Sequence, residues 1–212
     1  MSTAEAVLPD RLYPAADVPA LQVVRDTRPP DVAAATRAAR ALLEALGLDT
    51  AAEGMADTPG RMARAYAELF TARPFTATTF PNDEGYDELV LARAIPLRSV
   101  CEHHLLPFAG VAHVGYLPGD RILGLSKLAR LVEHFAARPQ VQERLTQQIA
   151  DWLDRELDAQ GVGVVLDAEH TCMTLRGVQA VGARTVTSAL RGTLRESPAS
   201  RGEFFALTGV AG

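Results

Sequence analysis

The apolar residues of this chain change period along its length, and the order of those periods restricts the fold more than any other feature. From Ser126 to Pro139 they recur at helical spacing, with Leu128, Leu131, Val132 and Phe135 on one stripe. A second stripe covers about 140–159, built from Val141, Leu145, Ile149, Trp152 and Leu153 and stopped by Gly161. On either side of this helix pair the pattern is that of strands: Glu88 to Ile95 and Ala109 to Leu117 before it, about 162–175 and 183–191 after it. Pro118, Gly119, Asp120 and Arg121 make a turn. Two hairpin-like strand pairs around a helix pair imply an antiparallel four-stranded sheet with helices on one side, an α+β architecture. Such a sheet keeps open edges, and neighbouring subunits are the natural means of closing them.

Ahead of the sheet the pattern is helical. A run rich in Ala and Leu starts at Asp31 and stops at Gly47, and a second helix starts at Thr58 with Pro59 at its first position. A short helix is expected from Ser200 to Leu207. Residues 1–31 carry five prolines among scattered charges and read as a loose arm. The expected division is this arm and one domain over 32–212, helical over about 32–75 and sheet-based over about 86–210.

A net charge of −5 argues against a general nucleic-acid binder, which needs a broad basic surface, but a small anion needs only a few placed cations. The N-terminus lacks the pattern of a secretory signal, and no stretch is apolar for the roughly 18 residues of a membrane span. The expected location is cytoplasmic. In a reducing compartment Cys101 and Cys172 are expected to bind metal or to be buried as thiols.

Cys101 and His104 stand three apart, a spacing that lets one tight turn present both to a metal. If the segment around Cys172 is a strand, His170 and Cys172 share a face. Cys101, His104 and Cys172 then form a Cys₂His set that leaves a fourth tetrahedral position for water, the pattern of a catalytic zinc. His103 and His170 lie beside the ligands and are suited to carrying protons. Either one as a fourth ligand gives a closed structural site instead. Both cysteines and three of the five histidines fall in these two segments, which separates the pattern from a lone buried Cys or His.

Two further groups have open readings. Ser126 is placed to cap the first central helix, with Lys127, Arg130 and His134 opposite its apolar stripe. Cations beside a helix N-terminus suit phosphate, while the same residues also make an ordinary solvated face. Gln142 and Glu143 either fill the first turn of the second helix or present a carboxylate to the N1–H and N2–H₂ edge of guanine.

The segments SVCEHHLLPFAG, GLSKLARLVEHFAARPQVQERLTQQIA and DAEHTCMTLRGV, in this order and spacing, resemble the GTP cyclohydrolase I family from about residue 32 to about 207. Thr58 to Arg61 and the Arg201-Gly202-Glu203-Phe204 helix also match. The resemblance implies zinc on Cys101, His104 and Cys172, with proton transfer through His103 and His170. It implies guanine recognition by Gln142 and Glu143, and triphosphate contacts from Lys127, Arg130 and Arg176. Ser126 would lie near the ribose and phosphate end, and Arg61 would reach a triphosphate from a neighbouring subunit. The implied fold is the tunnelling fold, with small sheets joined into a barrel across the subunits of a homodecamer and active sites at subunit junctions. The implied reaction opens the imidazole ring of GTP, releases formate and forms 7,8-dihydroneopterin triphosphate. Two competing readings are another tunnelling-fold enzyme, such as a pterin synthase or a nitrile reductase, and a zinc-stabilised GTP-binding scaffold without turnover.

Overall fold

The computed structural model describes residues 21–22, 29–74 and 76–209. Most of the expected arm, 1–31, lies outside the described residues. Within it, β1 (Leu21–Gln22) pairs antiparallel with β2 (Thr76–Ala77). Helices α1 (Val32–Ala45) and α2 (Thr58–Phe70) pack on each other. Asp31 caps α1 by accepting a hydrogen bond from the Ala34 amide at 2.9 Å. Gly47 supplies the left-handed conformation, φ +83°, that ends the helix.

The centre is a five-stranded sheet in the order β7-β4-β5-β8-β9, formed by β4 (Val90–Cys101), β5 (Pro107–Leu117), β7 (Pro139–Gln140), β8 (Gly161–His170) and β9 (Thr185–Arg191). Four of these strands make the expected antiparallel sheet. The fifth, β7, adds a short parallel pairing of Pro139 and Gln140 with Val100 and Cys101, so the sheet is mixed. β4 is longer than expected because a bulge between Ala92 and Ile95 breaks its alternation, with Ala94 at φ +55°. β3 (Thr79–Pro81) and β6 (Arg121–Leu123) form a separate pair.

Two rows of residues define the ends of the sheet. Val90, Tyr116, Val162 and Arg191 face one another across β4, β5, β8 and β9 at one end. Ser99, Phe108 and His170 do so near the other. At the first end the outer side of β4 has no partner among the described residues, and neither has the outer side of β9.

Helices α3 (Leu125–Ala136) and α4 (Gln142–Leu157) cover one face. Leu128, Leu131, Leu145, Ile149 and Leu153 pack there on Leu97, Val114, Val164 and Leu166, all of them buried. The helices are not confined to that side. α6 (Gly192–Glu196) and α7 (Pro198–Thr208) cover the opposite face of β8 with Leu194 and Phe204 against Val165. Both faces of β8 are therefore buried, which explains its nearly continuous apolar run.

Three expectations about these helices are corrected. Gly124, not Ser126, caps α3, and Ser126 is an exposed residue of its first turn. His134 is buried, not on the outer face with Lys127 and Arg130. α4 ends on Asp158 in the left-handed conformation, and Gly161 opens β8 because a Cβ there would meet the Leu194 amide nitrogen at 2.9 Å.

Candidate metal centre

Cys101 is the last residue of β4, and the chain turns back at once. Its carbonyl accepts from the Leu105 amide and its amide donates to the Leu106 carbonyl, both at 2.8 Å. Leu105 takes φ +52° to close this turn. β7 braces it from the side, since the Glu102 amide donates to the Gln140 carbonyl at 2.9 Å. The carboxylate of Glu102 pairs with Arg144 of α4, and that hydrogen bond, with the guanidinium charge, holds Glu102 below the usual carboxylate range. α2 reaches the same turn through Tyr66, whose hydroxyl donates to the Leu105 carbonyl at 3.0 Å.

Cys172 arrives differently from the sequence expectation. β8 ends at His170, and residues Thr171–Thr174 form one helical turn, α5. The alternation of a strand therefore does not place Cys172. The Thr171 hydroxyl donates to the Pro107 carbonyl at 2.6 Å and pins this turn to the start of β5.

These elements bring Cys101, His170 and Cys172 together, with one donor atom from each lying within 4.8 Å of the others. His104 stands beside them, its Nδ1 3.9 Å from Cys101 Sγ. Two sulfurs with two imidazoles in reach fit zinc by softness and number of donors. Without a cation, burial and then the neighbouring Cys101 push the Cys172 thiol up. Metal binding at this pair therefore has to release protons.

His170 is held on two sides. Its ring stacks on Phe108, with centroids 4.4 Å apart and an 11° interplanar angle. Its Nε2 lies 2.8 Å from Gln142 Oε1. The Gln142 amide nitrogen donates to the Leu166 carbonyl at 3.1 Å, the Thr185 carbonyl at 2.9 Å and the Thr187 hydroxyl at 3.2 Å. Main-chain carbonyls only accept, so the amide NH₂ must face them and Oε1 must face the imidazole. His170 accordingly carries its proton on Nε2 when neutral and leaves Nδ1 open. Burial lowers its pKa, opposed by the nearby Glu143 carboxylate.

The remaining expected residues divide by position. Glu143 is exposed at the start of α4 near His170, and Arg176 is exposed near Cys172. His103 is exposed on the Cys101 turn. The Gln142 side chain is buried and committed to the sheet and to His170. Ser126 and Lys127 lie in the first turn of α3, and Arg130 lies near its middle. The C-terminal end of α3 reaches the cluster end of the sheet, where Ser99 Oγ donates to the Ala136 carbonyl at 2.7 Å. A 12-residue helix is about 18 Å long, so its first turn lies far from Cys101. Arg61 is engaged locally, with Thr58 Oγ1 at 2.9 Å and Asp57 at 3.7 Å. Phe108 and Glu102 lie inside the recognised SVCEHHLLPFAG segment, yet their roles as stacking partner and ion-pair partner were not read from it.

A model of the GTP cyclohydrolase I family matches residues 35–209. The chain belongs to the GTP cyclohydrolase I family. It is an enzyme of this type. A GTP cyclohydrolase 1 of Corynebacterium glutamicum is 56% identical over 178 residues, covering 82% of this chain and 91% of that relative. The GTP cyclohydrolase 1 of Mycobacteroides abscessus is 56% identical, covering 82% and 87%. That of Streptomyces avermitilis is 54% identical, covering 82% and 88%. Among solved structures, the apo form of the archaeosine synthase QueF-Like aligns with a TM-score of 0.40 at 18% identity, over 49% of this chain and 93% of that one. At that score the likeness carries no argument.

Proposed function

We propose that this protein converts GTP and one net water into formate and 7,8-dihydroneopterin triphosphate, the entry reaction to pterins and folates, in the cytoplasm. The observation that carries the reading is the cluster of Cys101, Cys172 and His170 with His104 at its rim, on two of the segments that carry the family resemblance. Cys101, His104 and Cys172 would hold zinc, which lowers the pKa of a bound water and so supplies hydroxide at neutral pH.

The chain's own residues do the rest. The exposed Glu143 carboxylate accepts from the N1–H and N2–H₂ edge of guanine and aims C8 at the cluster. Buried Gln142 lends no side-chain group to guanine; it fixes His170. His170 takes and returns protons at Nδ1 as the C8–N bonds break and formate leaves, and His103 serves the solvent side. The ribose then opens, rearranges and recloses onto the freed amine. Arg176 meets the triphosphate, as do Lys127, Arg130 and Ser126 of another copy and Arg61 of a neighbour. Those distant cations are why one chain is incomplete. The reading extends to sheets closed into a barrel across a homodecamer.

A second reading has a specific observation behind it: the tightest set of donors includes His170, not His104. In that reading His170 Nδ1 is the third ligand and His104 carries protons. Zinc content separates the two. His104→Ala should lose the metal and His170→Ala keep it; the reverse result exchanges the roles. The test of the whole reading is incubation of the zinc-loaded protein with GTP, following formate and, after oxidation, fluorescent neopterin. Equal amounts of both are expected. Binding of GTP with neither product would leave the scaffold reading standing instead.

A further inference from the structure

An open groove lies at the end of the sheet away from the metal cluster. Gln147, Leu190, Arg191, Arg195, Arg201 and Phe205 line it, and no carboxylate is among its lining residues. It runs along the outer edge of β9, which has no strand partner among the described residues. Asp151 and Gln147 bind Arg191, the first with its Oδ1 3.0 Å from Nε and 2.6 Å from Nη2. Arg201 donates to the Arg195 carbonyl. The Arg195 guanidinium is exposed and in no ion pair among the described residues. The groove is thus cationic and partly apolar, beside a strand edge with no strand partner among the described residues.

The opposite edge carries the complement. Residues 82–88, just before β4, contain Asp83, Glu84, Asp87 and Glu88 and no cation. This turn is well built. Asn82 Nδ2 donates to the Tyr86 carbonyl at 2.8 Å and the Gly119 carbonyl at 2.9 Å, and the Tyr86 amide donates back to Asn82 Oδ1 at 2.9 Å. Yet its four carboxylates are exposed and make no ion pair among the described residues, and Tyr86 is 56% exposed. An ordered turn whose four carboxylates are all exposed and in no ion pair among the described residues is a surface shaped for something outside the chain.

Register joins the two features. Val90 and Arg191 belong to the same transverse row, at the same end of the sheet, on opposite edges. Three inter-strand spacings, about 14 Å, separate those edges, so the turn cannot fold onto its own groove. If β9 of one copy pairs antiparallel with β4 of the next, that row continues, and the acidic turn before Val90 arrives at the arginines after Arg191.

We propose that the Arg191–Arg195–Arg201 groove of one copy receives the Asp83–Glu88 turn of a second copy of this chain, a charge clamp that sets the head-to-tail order of the ring. This rests on the ring assembly proposed above. Like-signed edges reject a β9-to-β9 or turn-to-turn pairing, so the clamp selects the heterologous contact, the kind that closes into rings.

The test is the mass of the zinc-loaded full chain by sedimentation velocity over a dilution series at 0.1 M NaCl. The variants are Arg195→Glu with Arg201→Glu, Asp87→Arg with Glu88→Arg, and all four changes together. Thermal melts check that each variant folds. The wild type should assemble, and each pair of changes should raise the concentration at which the assembly dissociates by about tenfold or more. The fourfold variant, with the charges exchanged, should return toward the wild-type value. If the wild type assembles and the paired variants match it, the clamp is wrong and the ring stands. If the fourfold variant folds but stays as dissociated as the paired ones, the two surfaces do not meet. A wild type that is monomeric at every concentration removes the ring reading, and this inference with it.

Discussion

Gln142 faces two ways at once, and each direction has a separate consequence. Its NH₂ satisfies the Leu166 and Thr185 carbonyls, which belong to β8 and β9; its Oε1 orders His170. Removing the amide with Gln142→Ala leaves buried acceptors without donors, at a cost of about 1–3 kcal/mol, measured as a shift in the urea midpoint. It also frees the imidazole, so kcat should fall by about 10²-fold, a general acid–base contribution, with little change in KM. Gln142→Glu keeps an acceptor for His170 but turns a carboxylate toward two carbonyls, and it should destabilise more than Ala. Equal kcat in Gln142→Ala and wild type would remove the positioning role. His113 offers a pH test away from the metal. It is buried at 6% exposure, and burial, followed by Arg93, holds its imidazole below the ordinary value against the pull of Asp167. The unfolded chain then binds the proton first, so this residue's stabilising effect is complete above about pH 6.5 and is lost as the pH falls through the lower folded value. Between pH 7.5 and 5 the wild-type urea midpoint should drop further than that of His113→Gln. Parallel slopes would exclude His113 as a source of acid sensitivity. Cys101 and its turn were legible because the motif is local. The work of Gln142 was not, because its partners lie between 24 and 45 residues away.

Elements were legible where a local signal ends them. α2 runs over Thr58–Phe70 from its Pro59 signal, and α1 from its Asp31 cap. Misreadings arose where a distant contact overrode local pattern. Thr171 to Cys172 continues the apolar character of β8, but the Thr171 hydroxyl finds the Pro107 carbonyl and the chain coils into α5. β7 is two residues long and exists because Val100 and Cys101 offer it backbone partners. α7 illustrates an element positioned by the absence of a side chain. A Cβ on Gly163 would lie 2.7 Å from the Phe204 ring, which is fully buried and cannot swing away. Gly163→Ala should therefore push α7 off the sheet and cost about 1–3 kcal/mol by overpacking. Phe204→Leu added to it should recover part of that loss, whereas Phe204→Leu alone should destabilise. Failure of the second change to rescue the first would mean that Gly163 is needed for the strand itself.

At the scale of the whole molecule, the distribution of charge matters more than its sum. A chain with net charge −5 is a poor host for a triphosphate until cations from separate places converge. Within one chain the first turn of α3 starts about 18 Å along the helix axis from the end that meets Ser99 on the cluster side of the sheet. In the assembly proposed above, Lys127 and Arg130 serve the cluster of another copy. Complementation follows from that proposal. A Cys172→Ala protein lacks one half of every site, and a Lys127→Ala, Arg130→Ala protein lacks the other, so each alone should be inactive. Unfolded together and reassembled in equal amounts, they should form mixed assemblies in which about a quarter of the junctions join two intact halves, with formate release rising to match. Mixed without dissociation they should stay inactive. If reassembled mixtures stay inactive although mass measurements find both chains in one particle, the cluster and the α3 cations belong to different sites, and the triphosphate must be held by Arg176 and residues of the same chain.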